Sequence, residues 1–87
     1  MPEKKNINIL IVDDHWIFRK SLKSLLESKS GLNIIGEAEN GKVAIQKAKL
    51  TRPDVVLMDV RMPVLVGLGA TRQIKKWRPE TIIIAIS

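Results

Sequence analysis

Aspartates close two apolar runs of the chain: Ile9-Leu10-Ile11-Val12 leads into Asp13-Asp14, and Val55-Val56-Leu57-Met58 leads into Asp59. Both runs are short and β-branched, as in strands buried on both faces. In a parallel sheet the C-terminal strand ends open on one edge, so acids far apart in sequence can converge there. Three carboxylates in one mouth repel each other unless a cation sits among them, and hard oxygen ligands suit Mg²⁺. Asp13 and Asp14 point in different directions, so one can ligate an ion directly while the other holds a bound water. Asp59, one strand over, can add an oxygen to the same ion. The chemistry expected of such a mouth is the handling of phosphoryl groups. A plainer reading makes Asp13 or Asp14 a helix cap and Asp59 a turn residue. It suits each acid alone but not the set, because convergent acids left unneutralised cost stability.

The elements that must position these acids alternate along the chain. Ile7 to Val12 reads as a strand. Asp14 can cap the next segment, where Phe18, Leu22, Leu25 and Leu26 recur at helical spacing and Gly31 ends the helix. A second strand runs from Leu32 to Ala38. Asn40-Gly41 is a turn signal, followed by a short helix carrying Val43, Ala44, Ile45 and Ala48. The third strand runs from Pro53 to Met58, and a loop from Asp59 to Val66 contains Pro63. A third helix is predicted from about Gly67, burying Leu68, Thr71, Ile74 and Trp77 and stopped by Pro79. Thr81 to Ile86 forms a fourth strand. The order βαβαβαβ implies an α/β fold, a parallel sheet with covering helices.

Bulk properties narrow the function classes. At 87 residues the chain is one domain, and its charged share of 28% excludes a disordered tail. Cysteine is absent, so disulfides and thiolate metal sites are impossible, which fits a reducing compartment. Neither a membrane span nor a secretory leader is visible, and a cytoplasmic protein is the expectation. The net charge of +6 is scattered over predicted helix faces, and two tryptophans and one phenylalanine are the only aromatics. Direct nucleic-acid binding by this chain is therefore not expected.

Four segments carry a family resemblance: Ile9-Leu10-Ile11-Val12-Asp13-Asp14-His15, Gly36-Glu37-Ala38-Glu39-Asn40-Gly41, Pro53-Asp54-Val55-Val56-Leu57-Met58-Asp59-Val60-Arg61-Met62-Pro63, and Gly67 with Ala70-Thr71-Arg72. In these the chain resembles the receiver domain of bacterial two-component response regulators. His15 after the acid pair looks most like the NarL/FixJ branch, whose full-length members carry a C-terminal helix-turn-helix domain and regulate transcription. The resemblance implies a flavodoxin-like (CheY-like) three-layer fold with strand order 2-1-3-4. It implies that Asp59 accepts a phosphoryl group from a sensor histidine kinase, without the chain being a turnover enzyme. Asp14 would ligate Mg²⁺ directly and Asp13 through water. Asp59 and the backbone carbonyl of Arg61 would complete the protein's share of the ligands. Ser87 matches the switch hydroxyl that turns toward the phosphoryl oxygens. His15 itself is read as a helix-start residue and Trp16 as a partly exposed packing residue.

The sequence also departs from the family pattern. Residues 1–87 read as a receiver truncated after the fourth strand, without the fifth strand and its lysine, the last two helices or a DNA-binding domain. Val66 stands where an aspartate is usual, on what reads as a loop tip, and Gly69 where a glutamate is common. The run Thr81-Ile82-Ile83-Ile84-Ala85-Ile86 would form an apolar sheet edge, from which self-association is expected. An alternative is a switch-dead receiver fragment that acts only as a folding or self-association module. An aspartyl-phosphate hydrolase ranks last, because Trp16 stands where a partner acid to Asp14 would be wanted.

Overall fold

The computed structural model describes residues 6–61 and 64–86, and the side chains among these except those of residues 64–68. Seven elements alternate: β1 (Ile7–Val12), α1 (Trp16–Glu27), β2 (Leu32–Ala38), α2 (Gly41–Thr51), β3 (Val55–Asp59), α3 (Val64–Trp77) and β4 (Ile82–Ile86). The strands pair in parallel in the order β2-β1-β3-β4. The chain steps from β1 out to β2, then crosses back over β1 to β3. Right-handed crossovers in opposite directions put α1 on one face of the sheet and α2 and α3 on the other.

The core lies on the α2/α3 side. Leu10, Val12, Val56 and Met58 point from alternate strand positions into Ala44 and Ala48 of α2 and Ala70 and Ile74 of α3. Alanines on the helices let them approach the bulky strand side chains closely. Ile9 and Ile11 are buried on the opposite face. There α1 buries no residue completely, and Ile17 and Leu25 are exposed.

Local signals account for most boundaries. Asn40 caps α2, its Oδ1 accepting the Val43 N–H at 2.9 Å. The Asn40-Gly41 turn signal thus stands where α2 begins. The N-cap of α1 is His15 rather than Asp14, and the helix ends at Glu27 with Ser28 as its C-cap. Gly31 instead takes a positive φ of 88° in the turn into β2, and the Ile7 N–H donates to its carbonyl. The helix α3 begins at Val64, so Val64 to Val66 are helical and not part of a loop as the sequence reading had it. Leucine favours a helix and valine opposes one only weakly, so residues 64–66 can join α3. Trp77, expected in the core, is exposed and lies under the Lys49 ammonium, 4.2 Å from the ring centroid.

At the far edge, Thr81 is fully buried and its Oγ1 donates to the Pro53 carbonyl at 2.8 Å. Lys75 secures the preceding turn, its Nζ donating to the carbonyls of Pro79 and Thr81 at 2.6 and 2.7 Å. Ile83 packs against the core, whereas Ile82 and Ile84 on the α1 side remain exposed.

Candidate functional site

Strand register builds the site. Val12 of β1 pairs with Met58 of β3, so the next residues, Asp13 and Asp59, leave adjacent strands at the same edge. Both carboxylates are completely buried, while Asp14 is half exposed at the rim. Asp13 is anchored through its own N–H to the Ala38 carbonyl at 3.0 Å. Its Oδ1 accepts the His15 N–H at 2.7 Å, a local turn that carries the chain into α1. Asp59 forms the matching turn, its Oδ1 accepting the Arg61 N–H at 2.9 Å.

The three expected acids therefore converge. Oxygens of Asp13, Asp14 and Asp59 and a ring nitrogen of His15 lie within 4.8 Å of one another. The His15 Nδ1 is 2.8 Å from Asp14 Oδ1, 3.2 Å from Asp13 Oδ1 and 3.8 Å from Asp59 Oδ2. His15 starts the helix as expected and adds an imidazole to the cluster, which the sequence reading did not foresee. Three carboxylates on two strand ends make a hard, oxygen-rich donor set that fits Mg²⁺.

Arg61 supplies the positive charge inside this cluster. Its Nε lies 3.0 and 3.1 Å from the two Asp59 oxygens, and its terminal nitrogen 3.5 Å from Asp13 Oδ2. The guanidinium also lies over the Phe18 ring of α1, 5.0 Å from the centroid. Burial opposes ionisation of Asp59, but the side-chain and backbone N–H groups of Arg61 outweigh it and hold the carboxyl below its ordinary value. The hydrogen bond to Asp59 raises Arg61 in turn, against some desolvation. Asp59 is thus an ionised, buried carboxylate, the form a nucleophile needs.

The family resemblance assigns a role to the Arg61 backbone carbonyl and none to its side chain. A lone basic residue two positions after an acid at a strand end is the signal that could have found it. Arg19 was missed as well. From α1 its guanidinium donates to the Asp13 carbonyl at 2.6 Å and to Glu37 at 3.1 Å. Ser87, Met62 and Pro63 lie outside the described residues, as do the side chains of Val66 and Leu68.

Residues 9–87 match the family model of the response regulator receiver domain. The chain belongs to that family. The receiver is 51% identical over 76 residues to the transcriptional regulatory protein YdfI of Bacillus subtilis, covering 87% of this chain and 36% of that protein. Its fold is similar to the response regulator domain of Thermotoga maritima CheB, with a TM-score of 0.84 and 36% identity over 93% of this chain and 60% of that one. It is equally similar to the signal receiver domain of the putative response regulator NarL from Mycobacterium tuberculosis. There the TM-score is 0.84 and the identity 30%, over 95% of this chain and 67% of that one. The receiver spans little more than a third of the length of curated relatives such as YdfI and the GacA regulators. Its parallel sheet order 2-1-3-4 is the one the sequence resemblance implied.

Proposed function

We propose that this receiver accepts a phosphoryl group on Asp59 from a sensor histidine kinase. The observation that carries the reading is the burial of Asp59 and Asp13 side by side at two strand ends, with Asp14 at the rim. An Asp59 oxygen attacks phosphorus in line, the phosphorus–nitrogen bond to the kinase histidine breaks, and the imidazole nitrogen keeps the electron pair. The acyl phosphate that results adds about −1.5 to −2 charges to the mouth. Asp13, Asp14, Asp59 and the Arg61 carbonyl would hold Mg²⁺, which supplies neutralisation of charge on the phosphoryl oxygens. Ser87, by the family resemblance the switch hydroxyl, answers the new charge with a hydrogen bond.

The likeness to YdfI, a transcriptional regulatory protein, supports a parent that regulates transcription through a separate DNA-binding region. Other relatives are protein-glutamate methylesterases, so the receiver module itself does not dictate the output it controls. Among the described residues no helix is long and apolar enough to cross a membrane. A cytoplasmic location follows from the pairing with a kinase.

The deciding experiment is the intact mass of the chain after incubation with Mg²⁺ and a small-molecule phosphodonor, beside Asp59→Asn. A phosphoryl adduct on the native chain alone is the expected result. Absence of an adduct in both favours a self-association module, the reading that the exposed Ile82 and Ile84 of β4 support.

A further inference from the structure

The Arg61 side chain engages oxygens of Asp59 and Asp13, two of the acids assigned above to the ion. Its Nε spans both oxygens of Asp59 and its terminal nitrogen approaches Asp13 Oδ2, so one guanidinium bridges the two buried acids. Three features hold it there. The Asp59 turn fixes the Arg61 backbone, the planar fork matches two carboxylates at once, and the Phe18 ring lies against the guanidinium. With the side chain 46% exposed, solvent is open to it.

We propose that Arg61 is an internal counter-ion that closes the metal-free mouth and must be displaced before the site takes Mg²⁺. The inference rests on the phospho-acceptor reading of the same acids and adds a regulatory step to it. Mg²⁺ brings two charges and near-octahedral demands to oxygens already engaged by the fork. Every ion bound therefore costs the bonds from Arg61 to Asp59 and Asp13. The guanidinium sets a threshold concentration of cation below which the carboxylates stay paired internally. It acts through the acids and is a positioning residue.

Titration calorimetry of the chain with MgCl₂ alone tests this on the native protein, Arg61→Ala and Arg61→Lys. Alanine removes both charge and fork; lysine keeps the charge and loses the fork. We expect both variants to bind Mg²⁺ more tightly than the native chain, alanine by about tenfold or more, the size of one or two charge-assisted hydrogen bonds no longer surrendered. Without Mg²⁺ both variants should melt below the native chain, and saturating Mg²⁺ should close that gap. A purely structural role would leave the gap unchanged.

Native affinity in Arg61→Lys beside tighter binding in Arg61→Ala would keep the displaced counter-ion but overturn the part given to the fork, since charge alone would then compete with the ion. Unchanged or weaker binding in Arg61→Ala overturns the displacement itself. If no variant binds Mg²⁺, the metal-site reading itself falls, taking the inference with it. Loss of binding in Arg61→Ala/Asp13→Asn, against retention in Arg61→Ala, confirms that the heat reports these acids.

Discussion

The Arg19 guanidinium reaches from α1 to donate a 2.6 Å hydrogen bond to the backbone carbonyl of Asp13. That carbonyl lies one residue beyond β1, so Arg19 restrains the backbone from which the buried Asp13 side chain enters the mouth. Its Nε meanwhile holds Glu37 of β2 at 3.1 Å, joining the ends of the two strands. Replacing Arg19 by alanine takes this donor from the partly buried Asp13 carbonyl and leaves Glu37 to Lys23, 3.6 Å away, at a cost of about 1–3 kcal/mol. Urea unfolding should show the loss, and Arg19→Lys should recover only part of it because lysine lacks the fork.

Glu37 gives this link a pH dependence. Burial alone would raise its carboxyl, but the Arg19 hydrogen bond and the charges of Lys20, Lys23 and Arg19 prevail and lower it from its ordinary 4.5. A depressed folded-state value means that its stabilisation is complete above 4.5 and fades as pH falls through the lower value of the folded chain. Glu37→Gln should therefore be less stable than the native chain at neutral pH, by about 1 kcal/mol. The two unfolding midpoints should converge in acid. A difference that persists at low pH would assign the effect to lost packing instead.

Gly69 lies in the interior of α3, exposed, with open space where a side chain would begin. Glycine there carries the backbone entropy penalty without a steric reason for its presence. Gly69→Ala should raise stability by about 0.5–1 kcal/mol, seen as a higher melting temperature, and leave phosphoryl acceptance on Asp59 unaltered.

The parts of this molecule legible in its sequence are those set by short-range pattern. Apolar runs ending in acids specified β1 and β3, and parallel alternation brought Asp13, Asp14 and Asp59 to one edge. The Asn40-Gly41 turn signal marked where α2 begins, though not the cap that Asn40 makes there. Side-chain reach across elements was not legible. Arg61 and Arg19 are long and flexible, and only the assembled mouth decides that each turns toward an acid rather than water. The start of α3 was hidden because Val64-Leu65-Val66 favours neither helix nor loop by pattern alone. Trp77 was misplaced because its helical spacing matched a core stripe, whereas its ring sits beneath Lys49 at the helix end.

The edge strand offers a test of association. Ile82 and Ile84 are 56% and 44% exposed, on the face of the sheet opposite the core, and β4 pairs with β3 on one side only. A run of β-branched residues with free backbone donors and acceptors, and neither lysine nor proline to interrupt it, is a template for pairing with a second copy. The 87-residue chain should accordingly sediment as a dimer or larger species, in a concentration-dependent way. Ile84→Lys places a charge on this face at a half-exposed position, where the loss of core packing is small, and should shift the population to monomer. The same substitution at Ile83, which packs on the core, should unfold the chain instead. A native chain that remains monomeric at every concentration would show that twist and solvation are enough to protect the edge. Equal association by the native chain and Ile84→Lys would move the contact elsewhere, with the exposed Ile17 and Leu25 of α1 the next surface to test.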